Sequence, residues 1–189
     1  MKNLNPTLWR TCKMLAGTTR IHLLRALHDH PGKCVTELGR VVDIGESAAS
    51  QDLRRIQSRG LLQAERHGVR LIYRMAADPQ VASAAPLLKA IQSALATFPP
   101  KRDVEMAAIA TGLAHERRIR MVRHLLEEPL PLSELHLAVG IPTHPFRVHL
   151  RTLQASGFVQ TIHQKIHLAV PPHPLARALI RLIRQGAAR

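Results

Sequence analysis

The sequence predicts a mainly α-helical fold with small β-hairpin wings, built twice along one chain of 189 residues. Three observations predict it. A long internal repeat aligns the two halves. Each half shows the same order of helical and strand-like periodicity. The composition suits small aliphatic cores, with 46% apolar residues but only 3% aromatic ones.

Residues 38–64, LGRVVDIGESAASQDLRRIQSRGLLQA, align with residues 135–161, LHLAVGIPTHPFRVHLRTLQASGFVQT, without a gap at an offset of 97. Apolar positions coincide: Leu38 with Leu135, Val42 with Val139, Ile44 with Ile141, Ala49 with Phe146, Leu53 with Leu150, Ile56 with Leu153. Arg54 matches Arg151, Gln57 matches Gln154 and Gly60 matches Gly157. Upstream, LAGTTRIHLLRAL (15–27) matches LAHERRIRMVRHL (113–125) at an offset of 98. A repeat this long reads as a duplicated domain rather than as short solenoid units of about 20–50 residues. The break at Phe98-Pro99-Pro100-Lys101 divides the chain into expected domains 1–98 and 99–189.

In the first copy Ile21, Leu24 and Leu27 recur at helical spacing, and Pro31-Gly32 ends that helix. Thr36 is the expected cap of a short helix bearing Leu38, Val41 and Val42. Ile44-Gly45 makes a turn, and a further helix carries Ala49, Leu53 and Ile56 on one face. Gly60 falls where a helix end needs a left-handed residue. LLQAERHGVRLIYRM then reads as two β-prone stretches around a Gly-bearing turn. A helix is expected over 79–97, starting near Pro79, with Pro86 kinking or restarting it. The second copy repeats the order with Ile119, Val122 and Leu125, then Leu135 and Val139, then Phe146, Leu150 and Leu153. Its hairpin, FVQTIHQKIHLAV, lacks a glycine, and its trailing helix is PLARALIRLIRQGAAR. Helix, short helix, turn, helix, hairpin is the order of a winged helix-turn-helix. Two in tandem would make a covalent pseudo-dimer.

Residues 15–76 resemble the arsenic-repressor-like (ArsR) family of bacterial and archaeal regulators. The resemblance rests on Leu15-Ala16-x-x-x-Arg20-Ile21, on Ser47-x-x-Ser50-x-x-Leu53, on Gly60-Leu61, and on a wing with Gly68 that ends in Tyr73. Residues 113–170 keep less of it: Arg147-x-His149-Leu150 and Gly157-Phe158-Val159. The resemblance implies a double-stranded DNA-binding transcriptional regulator, expected to repress. Family members usually act as homodimers, so pairing of two chains and a single chain acting as its own pseudo-dimer are both open. The family's metal sensors use paired Cys before the turn or His and acids on the terminal helix. TELGRVVD has no Cys, and 79–97 has no His, Asp or Glu.

Charge agrees with a polyanionic partner. Lys and Arg number 27 against 13 Asp and Glu, a net charge of +14. Residues 1–95 and 96–189 carry +7 each, so neither half is a neutral body with a basic tail. No apolar run reaches the ~18–20 residues of a membrane span, and MKNLNPTLWRTCKML does not read as a secretory leader. With two cysteines and no disulfide pattern, a cytoplasmic location is expected and no membrane partner.

A helix lying in the major groove offers its N-terminal side chains to base edges. With Ala49, Leu53 and Ile56 inward, the expected DNA-binding set of the first copy is Ser47, Ser50, Gln51, Arg54 and Arg55. Wing residues Arg66, His67, Arg70 and Arg74 suit backbone or minor-groove contact. In the second copy Thr143 is the expected N-cap. Thr143, His144, Arg147, Val148, Arg151 and the wing residue Lys165 form the matching set. Asp52 is awkward beside phosphate and is expected to read a cytosine amine or orient a neighbouring Arg. No metal site, cofactor or enzyme activity is expected, since no triad, paired-carboxylate or phosphate-loop pattern occurs. The alternative class is a protein-interaction or architectural module without specific DNA readout. RNA binding is disfavoured by the scarcity of aromatic side chains.

Overall fold

Ten helices and five short strands fold from the apolar spacings above in the computed structural model, which describes residues 7–187. The first stretch holds α1 (Leu8–Leu15), α2 (Thr18–Asp29), α3 (Val35–Val42) and α4 (Glu46–Gln57). A hairpin of β1 (Gln63–His67) and β2 (Arg70–Arg74) follows, then α5 (Ala84–Thr97) and one 3₁₀ turn at Pro100–Arg102. The second stretch holds α6 (Asp103–Leu113), α7 (Glu116–Glu127), β3 (Leu130–Pro131), α8 (Leu132–Val139) and α9 (Thr143–Ala155). It closes with β4 (Val159–Ile162), β5 (Lys165–Leu168) and α10 (Pro174–Ala187). The fold is mainly helical with two small antiparallel sheets, β1-β2 and β3-β5-β4. No helix among the described residues is long and apolar enough to cross a membrane.

The chain forms two compact units, and they do not follow the expected boundary at 98/99. One unit contains Gly17–Ala107; the other contains Leu8–Ala16 together with Ala108–Arg189. The Pro99-Pro100 break is spanned by a 3₁₀ turn that leads directly into α6. The helix α6 therefore begins in the first unit and ends in the second.

In the first unit α2, α3 and α4 pack on one another, with β2 against α3 and α5 against α2. Ile21, Leu24, Leu38, Ala49, Leu53, Ile56 and Tyr73 are fully buried there. In the second, α7 packs against α8, α9, α10 and β5. Ile119, Val122, Leu135, Phe146, Leu153, Phe158 and Leu179 are buried there, with Cys12 and Leu15 of α1. Burial pushes the Cys12 thiol up to about 12, so it behaves as core filling.

The duplication reappears in the backbone at the same offsets. Asp43 and Gly140 both end their helices in the left-handed region, with φ of 57° and 64°. Gly45 and Pro142, two residues on, precede α4 and α9 as N-caps. Gly60 and Gly157 both have φ of 75° after those helices. Three local expectations shift. Cys34, not Thr36, caps α3, and Glu37 accepts the Cys34 N–H at 2.8 Å, which holds its carboxyl below the usual range. Thr143 is the first residue of α9 rather than its cap. The trailing helix starts at Ala84, five residues beyond Pro79, so Pro86 sits in its first turn, where no intrahelical N–H is lost.

The two hairpins turn differently. In β1-β2, His67 pairs with Arg70, and of the two turn residues only Gly68 has positive φ, 62°. In β4-β5, Ile162 pairs with Lys165, and both turn residues, His163 and Gln164, have positive φ of 46° and 63°. Positive φ at both positions is the type I′ pattern that Asn-Gly satisfies without strain. Replacing His163-Gln164 by Asn-Gly is therefore expected to stabilise the second unit by about 0.5–1.5 kcal/mol, read as a raised urea midpoint of Trp9 fluorescence. Trp9 lies in that unit.

Candidate nucleic-acid interface

On α4, burial of Ala49, Leu53 and Ile56 leaves the opposite face outward. Ser47, Gln51, Arg54 and Arg55 are exposed as expected; Ser50 is half-buried. Burial raises the pKa of the Tyr73 hydroxyl on β2, and the nearby Arg54 partly offsets this. Arg55 is tied back, donating to Asp52 at 2.9 Å. Asp52 is buried and also accepts from Arg20 of α2 at 3.1 Å. It therefore does not face outward as a base reader. It clamps α4 to α2 and orients Arg55, which was the second of its two expected roles.

The wing residues Arg66, His67, Arg70 and Arg74 are all exposed. Glu65 lies 3.5 Å from His67 and 3.4 Å from Arg74, holding these two side chains over the same strand pair. Such exposed pairs are worth little in stability. Their effect is to leave Arg66 and Arg70 as the less encumbered cations of this wing.

On α9, burial of Phe146, His149, Leu150 and Leu153 turns Thr143, His144, Arg147, Val148 and Arg151 outward, all exposed. Lys165 on β5 is exposed too. The helices differ in charge: α4 (ESAASQDLRRIQ) has two arginines and two carboxylates, whereas α9 (THPFRVHLRTLQA) has two arginines and no carboxylate. Of helix and hairpin, the first pair carries its excess positive charge on β1-β2, with Arg66, Arg70 and Arg74 against Glu65, and the second carries most of it on α9. Exposed apolar surface also separates them. Leu137 on α8 is 83% exposed where the first copy has Arg40, and Val148 is 45% exposed where it has Gln51.

The anchor of the second helix was not foreseen. Arg118, the counterpart of Arg20, donates to the carbonyls of Gly112 at 2.7 Å and Thr111 at 2.9 Å, closing the C-terminal end of α6. Its Nη1 lies 3.4 Å from Nδ1 of His149, the counterpart of Asp52. The His115 ring packs against that of His149 at a tilt of 45°, with centroids 4.4 Å apart. Burial, then the neighbouring His115 and Arg118, push His149 down to about 4; burial and Arg118 also lower His115. Neutral imidazole thus stands where the first unit has a carboxylate.

This difference has a pH consequence. Unfolded, a histidine takes up its proton near 6.5; folded, His149 resists until about 4. Between those values the unfolded chain binds more protons, so stability is present above 6.5 and is lost as pH falls toward 4. His149→Asp would give Arg118 the carboxylate that Arg20 has. We expect it to shrink the drop in urea midpoint of Trp9 fluorescence between pH 7 and 4.5; an unchanged drop would exclude His149 as its source.

A second contrast lies at the turns before α4 and α9. A Cβ on Gly39 would stand 2.9 Å from the Ile44 carbonyl oxygen. In the second copy His136 holds Gly39's place and its Nε2 donates to the Ile141 carbonyl at 2.7 Å. The first turn is closed by backbone approach, the second by a side chain.

Among the described residues no group of three or more His, Cys, Asp or Glu is placed to hold a metal ion. Compared with known proteins, the chain matches no family model, no curated protein and no solved structure.

Proposed function

We propose that the chain is a sequence-specific double-stranded DNA-binding transcriptional regulator, a repressor, made of two tandem winged helix-turn-helix units of arsenic-repressor-like type. The observation that carries the reading is the repeated arrangement of a left-handed helix end, a two-residue step and a helix with an exposed polar face, each followed by a hairpin. α4 and α9 would enter the major groove, with Gln51 suited to adenine and Arg54 or Arg147 to guanine. Arg66 and Arg70 would grip phosphate. Because the two outward sets differ, the preferred duplex would be an imperfect palindrome with unequal halves.

Selection from a random duplex pool tests the reading: one enriched sequence is expected, and no enrichment over background would refute it. On the enriched duplex, Gln51→Ala and Arg54→Ala should each weaken binding by about 1–3 kcal/mol and relax the preference at one base position, measured by fluorescence anisotropy. A second reading, a protein-interaction module, is favoured for the second unit alone by the exposure of Leu137 and Val148. Under it, Arg147→Ala and Arg151→Ala would leave duplex affinity unchanged.

A further inference from the structure

We propose that the outer face of α10 is a further phosphate-binding surface for double-stranded nucleic acid, distinct from the faces of α4 and α9. It does not depend on sequence reading by either of those helices.

α10 buries Leu175, Ala176, Leu179, Ile180 and Ile183 against its own unit. That leaves Arg177, Arg181 and Arg184 exposed on the opposite side. Steps of four and three residues put them on one face, about 6 and 4.5 Å apart along the axis. Arg123 is exposed on α7, which packs against α10; its Nη2 lies 3.6 Å from where a Cβ on Gly186 would stand. Nine residues at 3.6 per turn put Gly186 on the side of α10 away from Arg177, so Arg123 stands off this row rather than in it.

This row lacks counter-charge. The α10 segment, PLARALIRLIRQGA, contains no acidic residue. Among the described residues, none of Arg123, Arg177, Arg181 and Arg184 has a carboxylate oxygen within 4.0 Å. The nearest acids on α7 are Glu116, 3.9 Å from Arg120, and Glu127, one turn beyond Arg123. Like charges four residues apart disfavour a helix, and a cation in its first turn, such as Arg177, opposes the helix dipole. The row is thus unfavourable to the isolated helix.

Nor does the scaffold require it. The trailing helix of the first unit, α5, exposes Ala85, Lys89, Ser93 and Ala96 on the corresponding side. The choice of arginine suits phosphate, which its guanidinium fork can grip with two hydrogen bonds. A lipid surface is disfavoured because the apolar face needed for insertion is already buried in the core. Single strands are disfavoured because α10 offers no aromatic ring for stacking.

The test compares four full-length proteins: wild type, Arg177→Gln/Arg181→Gln/Arg184→Gln, Gln51→Ala/Arg54→Ala, and both sets combined. Binding to a 30-base-pair duplex of arbitrary sequence is followed over a salt series. Each phosphate that a variant no longer neutralises should lower the slope of log affinity against log salt by about 0.9. The triple variant is expected to lose about 2–3 units of slope and to keep the base preference selected by wild type. An unchanged slope overturns the proposal. So does a loss of binding to phosphatidylserine vesicles or polyglutamate while duplex binding stays intact. If Gln51→Ala/Arg54→Ala keeps full base preference, the groove-reading role of α4 fails on its own, and the row on α10 is still judged by its slope.

Discussion

Asp103→Ala is expected to destabilise the first unit by about 3–5 kcal/mol, the largest single-residue effect in the chain. Asp103 is 2% exposed and receives two hydrogen bonds from Arg25, each 2.7 Å. Arg25 is itself buried, and its remaining donors reach the carbonyls of Leu95 at 3.1 Å and Phe98 at 2.9 Å. One guanidinium thus ties the end of α5 to the start of α6. With the carboxylate gone, a cation is left in low dielectric with no countercharge except Asp29 at 3.9 Å. An arginine side chain is too strong a base to shed its proton in a protein, so the group cannot escape by neutralising. Hydrogen exchange read peptide by peptide is the appropriate measurement, because two units need not unfold together. Peptides from 17–107 should lose protection by this amount. Protection unchanged within about 1 kcal/mol would show that water replaces the carboxylate. Arg25→Met with Asp103→Leu should recover most of the loss, since removing both charges leaves no orphan.

Gly60→Ala is expected to cost about 2–4 kcal/mol, through left-handed strain and overpacking together. Gly60 has φ of 75°, and a Cβ there would lie 2.9 Å from Val81 Cβ and 3.1 Å from Ala84 Cβ. Both neighbours are short, buried and attached to backbone that cannot retreat. The control is internal. Gly157 has the same φ but would meet only Pro171 Cγ, at 3.3 Å. Gly157→Ala should cost about 1–2 kcal/mol, the conformational part alone. Equal losses at the two sites in urea titrations would mean that packing around Val81 adds nothing.

These cases show which parts of the structure could be read from residues. The helices α2, α4, α7 and α9 were legible because Leu and Ile recur along one face, and a period needs no knowledge of the partner surface. Gly60 was legible because a helix followed by Gly-Leu implies one backbone conformation. The exposed sets on α4 and α9 followed from the same periods by exclusion. Ser50 did not, since it is half-buried. Arg25 could not be found, since its partners lie 70 to 78 residues away. Its duplicate, Arg123, is exposed and carries the same local sequence context. The start of α3 at Cys34 was hidden for a related reason. A thiol rarely caps a helix, and here Glu37 supplies the bond that makes the cap work.

The placement of α1 bears on how the chain matures on the ribosome. Residues 17–107 are contiguous, so the unit they form can close once they have emerged. The helix at 8–15 belongs with segments made later, and its Cys12 and Leu15 find their buried setting only after residue 108 and beyond are made. At roughly 5–20 residues per second, that helix waits several seconds with an apolar face uncovered. Cutting the gene at the proline break would therefore strand an orphan helix on one fragment and leave a hole in the other.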